Sequence, residues 1–207
     1  MAYGYLGQNT PNQTVNNSGV FSITDSSNLQ SQGKLGGSLE LIAEQTFTTS
    51  STVENTSIQE NKYDVHLLHI VANGSTSMNS GIQFYESGVL ETASVYQWAN
   101  LVGVGTGTFY ESRTTGNAYL QFMTGANIGN STNESGNAYC YFYNLTDSSK
   151  YSFMTHQCIS MYDTNGMNMN FGSGVMPQAS AVDGIQLILN GGNIDTADIS
   201  LYGIRYS

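Results

Sequence analysis

Short runs of β-branched and aromatic residues, separated by clusters of Gly, Asn, Ser and Asp, recur along most of this 207-residue chain. Good helix formers are scarce, and no long stretch places apolar residues at helical spacing. Such runs with turn-forming residues between them are typical of antiparallel sheets. The sequence therefore predicts an all-β fold. Because about eight strands suffice for two packed sheets and no internal repeat is visible, it favours an antiparallel β-sandwich over a propeller.

The alternation of apolar and turn-forming segments also gives the strand positions. We predict strands at Leu39–Phe47, Val53–Gln59, Tyr63–Ala72, Gly81–Tyr85, Ser94–Leu101, Thr108–Arg113, Ala118–Met123, Ala138–Leu145, Ser152–Tyr162, Met167–Phe171, Ala181–Leu189 and Thr196–Tyr206. Between two of these strands, Asn165 and Gly166 form the strongest short-range hairpin signal, which is a better account of DTNGMNMN than a calcium loop.

Residues 1–38 have a different composition from the rest of the chain. They are rich in Gly, Asn, Ser and Gln and contain one short apolar island, Val20, Phe21 and Ile23. A segment like this buries little surface on its own. Two readings remain open, a flexible tail and an extended docking arm that orders only against another surface. We therefore predict an N-terminal arm at 1–38, with its docking contacts at that island, and a sandwich domain at 39–207.

The charge of the chain excludes one class of partner. There are 15 acidic and 5 basic side chains, so the net charge is −10, and only 10% of residues are charged. Contacts with phosphate need Lys or Arg, so nucleic acid is not an expected partner. No run approaches the roughly 18 apolar residues of a membrane span, and the first residues have neither the basic nor the apolar region of a secretion signal.

Catalytic and metal-binding motifs are not recognisable in the sequence. We find no GxSxG elbow, no HExxH and no phosphate loop with a Lys. His66 and His69 lie three residues apart in a predicted strand, so they point to opposite faces and do not form a metal pair. We expect no cofactor, no metal and no enzymatic activity. A polysaccharide depolymerase stays open as a third reading, because Glu86, Glu91, Glu111 and Asp163 are available acids.

The strand YDVHLLHIVA has two faces that are both partly apolar. We expect the face of Tyr63, Val65, Leu67 and Val71 to lie on the core, because it is the more apolar of the two. The opposite face carries His66, Leu68 and Ile70 and is more apolar than a solvated face. We predict that a subunit interface or the arm covers it; ordinary sheet histidines are the second reading.

Two aromatic stripes are candidate glycan contacts. Tyr139, Tyr141 and Tyr143 share one strand face, and Tyr96 and Trp98 share another. Amphipathic aromatic rings stack on sugars, although sheet packing and oligomer contacts are commoner uses of such stripes and rank above sugar binding here.

The two cysteines, Cys140 and Cys158, lie on consecutive predicted strands. Whether they meet depends on strand register. Two buried thiols that pack as small hydrophobes are favoured over a disulfide.

The closing stretch VMPQASAVDGIQLILNGGNIDTADISLYGIRYS carries the most specific pattern. An apolar strand, a GGNI turn at Gly191–Ile194 and a final strand resemble the C-terminal hairpin of jelly-roll domains in structural proteins of tailed bacteriophages, notably phages of aquatic bacteria. LELIAEQTF, KYDVHLLHIVANG and NNSGVFSITDSSNLQSQGKLGG resemble earlier parts of the same domain.

This resemblance implies a jelly-roll sandwich and a place on the virion. Domains of this type occur as capsid decorations, head fibres and tail-tip modules, commonly as trimers. The chain has no heptad shaft or triple β-helix repeat, so a capsid decoration or cement subunit is the leading expectation. The implied partners are copies of the chain itself in a homotrimer and the major capsid protein or another virion protein. The alternative is a receptor-binding module of a tail appendage or capsid fibre that binds a host glycan. The chain would be made in the host cytoplasm and end on the virion.

Overall fold

A computed structural model describes residues 22, 24–25, 27–28, 39–56, 58, 62–75, 78–131, 133–162 and 166–204. The described part of the chain from residue 39 onward is built of β-strands. In chain order they are β1 (Leu39–Ser50), β2 (Thr52–Asn55), β3 (Val65–Gly74), β4 (Met78–Glu86), β5 (Val89–Leu90), β6 (Tyr96–Val104), β7 (Thr108–Asn117), β8 (Leu120–Ile128), β9 (Gly136–Tyr143), β10 (Tyr151–Tyr162), β11 (Gly166–Ala179), β12 (Val182–Leu189) and β13 (Ile194–Ile204).

Each predicted strand overlaps one of these, and the all-β prediction is confirmed. The two-residue strand β5 was not predicted, because Val89 and Leu90 are too short a run to stand out. β11 runs well beyond the predicted Met167–Phe171. The predicted hairpin before it is confirmed by the antiparallel pairing of β10 with β11, although Asn165 itself lies outside the described residues.

The strands form two antiparallel sheets with jelly-roll connectivity. The large sheet has the order β1-β13-β3-β9-β10-β11-β6-β7, and the small sheet has the order β2-β12-β4, with β5 and β8 both paired to β4. Within them, β1-β13-β3-β9 lies in one sheet and β2-β12-β4-β8 in the other. This division of eight strands between two sheets is that of a jelly roll, which is built of two Greek keys. The predicted jelly-roll sandwich is confirmed.

Two insertions enlarge one sheet of this jelly roll. β5–β7 lie between β4 and β8 in sequence, and β10–β11 lie between β9 and β12. Four of these strands, β10, β11, β6 and β7, continue the large sheet beyond β9. The strand β8 contacts β10, β11 and β6 across the sandwich, so the inner side of the extension belongs to the same apolar core as the rest of the sandwich.

The core contains the face of β3 that we expected to lie outside it. His66, Leu68 and Ile70 are almost completely buried, and Leu68 and Ile70 belong to the apolar core of this chain. The prediction that these three residues form a subunit interface is therefore wrong. Because both faces of the strand are apolar, its sequence does not determine which face meets the other sheet.

The last two strands do not form a hairpin. β12 pairs with β2 and β4 in the small sheet, whereas β13 pairs with β3 in the large sheet. The predicted turn at Gly191–Ile194 joins them, and Gly191 has φ 110°, which favours glycine. The connection thus crosses from one sheet to the other, as a jelly roll requires.

The chain divides into two compact units, Met1–Glu40 and Leu41–Ser207. In the first unit, the Asp25 amide donates to the Ser22 hydroxyl (3.0 Å) and the Ser22 amide donates to the Asp25 carboxylate (3.3 Å). This reciprocal pair has the form of a helix N-terminal capping box, and Thr24, Asp25, Ser27 and Asn28 are helical. The predicted arm contacts Val20, Phe21 and Ile23 lie outside the described residues.

Candidate functional site

The side of the large sheet that faces away from the core is the most distinctive surface of the second unit. Along β10 every second residue is buried, and the others point outward. With its neighbours β9, β11 and β6, this strand builds a continuous surface that we call the outer face. Its residues are Asn137, Tyr139, Tyr141, Tyr143, Tyr151, Phe153, Thr155, Gln157, Ile159, Met161, Met167, Met169, Phe171, Ser173, Val175, Gln97, Ala99, Leu101 and Gly103.

The outer face is unusually apolar for an exposed surface. Its large apolar side chains with at least 38% exposure are Leu101, Tyr139, Tyr151, Phe153, Ile159, Met161, Met167 and Phe171. They lie on adjacent strands and form one patch. Monomeric proteins rarely leave a large contiguous apolar patch in water, so this patch indicates a binding surface.

No residue of the outer face is Asp, Glu, Lys or Arg, although the chain carries a net charge of −10. Charges begin at its margins. On β7, beyond β6, Arg113 lies 3.7 Å from Glu111, with both side chains exposed. On the other side the next charge lies two strands beyond β9, on β13, where the Asp198 carboxylate accepts a hydrogen bond from the Thr46 hydroxyl at 2.7 Å. The surface is therefore an uncharged area bounded by charged strands.

The outer face is not flat, because a row of small side chains lies between rows of larger ones. Ala99, Ser173 and Thr155 form one row of small residues across β6, β11 and β10. The rows on either side carry the larger side chains Phe171 and Phe153. The row of small residues is the floor of a groove of about 690 Å³, which ends at Arg113.

The polar side chains of the outer face are partly satisfied within it. The Tyr139 hydroxyl donates to Gln157 Oε1 at 2.5 Å, and the Tyr143 and Thr155 hydroxyls share a hydrogen bond of 3.3 Å. The Tyr139 and Tyr141 rings meet edge to face, with centroids 6.0 Å apart. The predicted stripe Tyr139, Tyr141 and Tyr143 therefore does lie together on an accessible face.

Tyr96 and Trp98 lie on the opposite side of β6 and are buried in the core. The Phe84 amide donates to the Tyr96 hydroxyl (2.9 Å), which in turn donates to the Glu91 carbonyl (3.2 Å). Burial raises the pKa of Tyr96. The candidate glycan contact at these two rings is wrong, because the extended sheet places β8 over them, and sheet packing, which ranked above it, is confirmed.

Both cysteines are free and point into the core from neighbouring strands. Cys158 pairs in register with Ala138 and Cys140 pairs with His156, so the thiols are offset along the ladder. Burial raises the pKa of both, that of Cys158 to about 12. The prediction of two buried thiols is confirmed.

The inner side of the extension contains a polar cluster that the sequence did not indicate. Asn100 Nδ2 donates to the Gln121 carbonyl and to the Thr124 hydroxyl, both at 2.9 Å, and the Thr124 amide donates to Asn170 Oδ1 at 3.2 Å. His156 lies beside this cluster against the Phe122 ring. These side chains tie β6 and β11 to β8, so their role is structural.

On the small sheet, a hydrogen-bonded group faces away from the core. Gln186 Nε2 donates to Glu54 Oε1 at 2.7 Å and to the Tyr85 hydroxyl at 3.2 Å. Burial, together with Glu54, raises the pKa of Tyr85 to about 12. Because it carries a carboxylate, this face differs in chemistry from the uncharged outer face.

The acidic residues considered for a depolymerase do not all come together. Burial, with repulsion from Glu91, raises the pKa of Glu86, which accepts a hydrogen bond from the Ser180 hydroxyl. Glu111 lies on β7 beside Arg113, and Asp163 lies outside the described residues. Among the described residues, no group of three His, Cys, Asp or Glu is placed to hold a metal ion, and no helix is long and apolar enough to cross a membrane.

The apolar half of the outer face is the part that sequence reasoning missed. Phe153, Ile159, Met161 and Phe171 were assigned to strands but not to a surface. A signal was present in the strand YSFMTHQCISMY. Both faces of this strand carry apolar residues, which predicts that both faces are covered by other parts of a protein.

No protein-family model matches the chain, and no curated protein matches it in sequence. Among solved structures, 80% of the chain aligns with 29% of an exo-inulinase from Aspergillus awamori, at 11% identity and a TM-score of 0.40. The chain thus spans less than a third of that protein. A second alignment covers 82% of the chain and 76% of the catalytic domain of PdAgaC, at 8% identity and a TM-score of 0.23. Likenesses this distant carry no argument about function.

Proposed function

We propose that this chain is a non-enzymatic structural subunit of a tailed-phage virion, most specifically a decoration or cement subunit on the capsid surface. The observation that carries the proposal is the uncharged, apolar outer face on an enlarged jelly roll. A surface of this chemistry suits permanent attachment to protein. The resemblance of the strand and turn sequences to phage jelly-roll domains supports the virion as the place of attachment.

In this proposal the chain assembles as a homotrimer and attaches to the major capsid protein or another virion protein. It is made in the host cytoplasm and joins the particle there. Residues 1–38 act as the docking arm, and Val20, Phe21 and Ile23 supply its apolar contacts. Deletion of residues 1–30 should leave the sandwich folded and abolish binding to undecorated particles. A truncated chain that binds such particles as the full chain does would refute the role of the arm.

The decisive experiment locates the protein on the virion and removes it. Antibody labelling should mark the head, and particles that lack the protein should burst more readily on heating and osmotic shock. If antibody labels the heads but particles without the protein resist heating and osmotic shock as well as normal particles do, the protein decorates the capsid and does not act as cement. Absence of the protein from purified virions would reject the proposal altogether.

A second candidate function is binding of a host glycan by a tail appendage or capsid fibre. The exposed stripe of Tyr139, Tyr141 and Tyr143 favours it, because its rings offer apolar faces and polar tips. In this case, antibody labels the tail tip or a capsid fibre, and purified protein binds host polysaccharide. Tyr139→Ala should weaken that binding, whereas Val89→Ala, on β5 away from the outer face, should not. Purified protein that binds no host cell or polysaccharide would reject this candidate.

A further inference from the structure

We propose that the outer face is the surface through which copies of this chain bind each other. The inference deepens the proposed function, in which the chain assembles with itself, by naming the surface. This surface takes the place of the interface predicted at His66, Leu68 and Ile70, whose side chains are buried in the core. It is tested on purified protein without virions, so its failure leaves the virion assignment standing.

The chemistry of the outer face allows it to lose water at low cost. Its exposed apolar side chains gain from burial. Two pairs of polar side chains near its centre are already bonded to each other, Tyr139 to Gln157 and Tyr143 to Thr155. Burial of a polar group is costly mainly when its hydrogen bond is lost, and these bonds persist under a partner.

The size of the outer face matches that of a stable interface. Four strands about 4.8 Å apart, each contributing about 10 residues at about 3.3 Å per residue, span roughly 600 Å² of flat sheet. Protruding side chains increase this area. A standard protein interface buries about 800 Å² on each partner. The face is therefore large enough to hold a second copy without help from other surfaces.

The absence of charge on the outer face favours a second copy of the chain as its partner. Two chains that each carry −10 repel one another, and the repulsion is least where both surfaces are uncharged. A partner recognised through its charges would find none to pair with here. Another copy presents the same uncharged, apolar surface, and the charged pair Glu111 and Arg113 lies at the margin, where Arg113 ends the groove.

The relief of the outer face gives two copies a way to interlock. Phe153 lines the groove floored by Ala99, Ser173 and Thr155, and Phe171 lies in the next row of the sheet. An aromatic side chain of one copy is of a size to enter the groove of another. Packed sheets interdigitate in this way at a separation of about 10 Å.

The test measures self-association of the full chain by sedimentation equilibrium at micromolar concentration. The wild type should be oligomeric. Phe153→Glu and Phe171→Glu should each weaken association about tenfold or more, because each buries a charge where an aromatic anchor lay. Phe171→Leu should retain it. The matched control is Val89→Glu, since Val89 is 69% exposed on β5, away from the outer face, and should associate as the wild type does.

Two measurements keep the outcome decisive. Near-ultraviolet circular dichroism confirms that each variant is folded. In a second assay, a cysteine introduced as Ser173→Cys, which exchanges a hydroxyl for a thiol of similar size, should react with maleimide far more slowly in the oligomer than after dilution. Val89→Cys should react at one rate, and Cys140 and Cys158 are buried and contribute little. A monomeric wild type, an oligomer that the Glu variants leave intact, or a Ser173→Cys thiol that reacts at one rate at all concentrations would overturn the proposal.

Discussion

At the scale of single residues, two buried histidines pack against aromatic rings. His66 packs edge-on against the Tyr63 ring and His156 against the Phe122 ring. Within the described part of the chain, no hydrogen-bond partner is placed at their ring nitrogens. Burial lowers the pKa of each to about 4. Both imidazoles are therefore neutral in the folded protein at pH 7.

These histidines should make the fold sensitive to acid. Their pKa is lower in the folded state than the value of about 6.5 in the unfolded state, so the unfolded chain binds more protons between these values. The free energy of unfolding should be level above about pH 6.5 and fall as the pH drops toward 4, by up to about 3 kcal/mol for each histidine. Urea unfolding at a series of pH values measures this.

Replacement of a buried histidine shows how much of the loss of unfolding free energy at low pH that histidine causes. His156→Gln should reduce the slope of stability against pH, whereas Ile159→Val, at an exposed position of the same strand, removes no titratable group and should leave the slope as it is. An unchanged slope in His156→Gln would contradict the assignment.

The buried thiols give a second prediction at the same scale. Thiolate is the reactive form, and burial raises the pKa of Cys158 to about 12, while it also shields both thiols. Native protein at pH 8 should react with a thiol reagent only as fast as it unfolds, and two thiols should react at once in denaturant. Fast labelling of native protein would show that the extension opens readily.

At the scale of elements, β11 shows how pairing overrides local signals. The run GSGVMPQA has the composition of a loop, yet it continues β11 because β10 pairs along one side and β6 along the other. Gly172 permits the close approach of β6: a side-chain Cβ at this position would lie 2.3 Å from the Ala99 carbonyl oxygen. This contact is with backbone, which cannot turn aside.

Gly172→Ala should therefore be destabilising. We expect a loss of about 1–3 kcal/mol in the free energy of unfolding, as for other overpacked sites. Gly116→Ala on β7 is the control, since its nearest neighbour would be 3.4 Å away, and it should change stability little. Equal stability of the two variants in urea would show that β6 and β11 can separate without cost.

Element positions were predictable from the sequence to the extent that they depend on local pattern. Alternating runs such as LELIAEQTF and YSFMTHQCISMY located strands, and the resemblance supplied the jelly roll. Which sheet a strand joins, and which face meets the core, depend on partners distant in sequence. The predicted orientation of β3, the predicted hairpin of the last two strands and the candidate glycan contact at Tyr96 and Trp98 were wrong for that reason. For the outer face, only its tyrosine stripe was predictable.

At the scale of the whole molecule, charge and apolar surface are segregated. The net charge of −10 lies outside the outer face, and the edge strand β7 carries Glu111 and Arg113 on its outward side. Charges on an edge strand oppose unwanted strand pairing. Such a distribution directs association to the face of the large sheet and away from its edge.

Salt should strengthen association through the outer face. The uncharged contact contains no ion pair to screen, whereas the repulsion between two acidic chains is screened as the Debye length falls from about 10 Å at 0.1 M to about 3 Å at 1 M. The dissociation constant of the oligomer, measured by sedimentation equilibrium, should therefore decrease as sodium chloride is raised over this range. The variant Glu111→Gln, which removes one charge at the margin, should reduce the dependence slightly. An oligomer that dissociates on addition of salt would mean that charged side chains hold the copies together, and the contact would then lie on some surface other than the outer face.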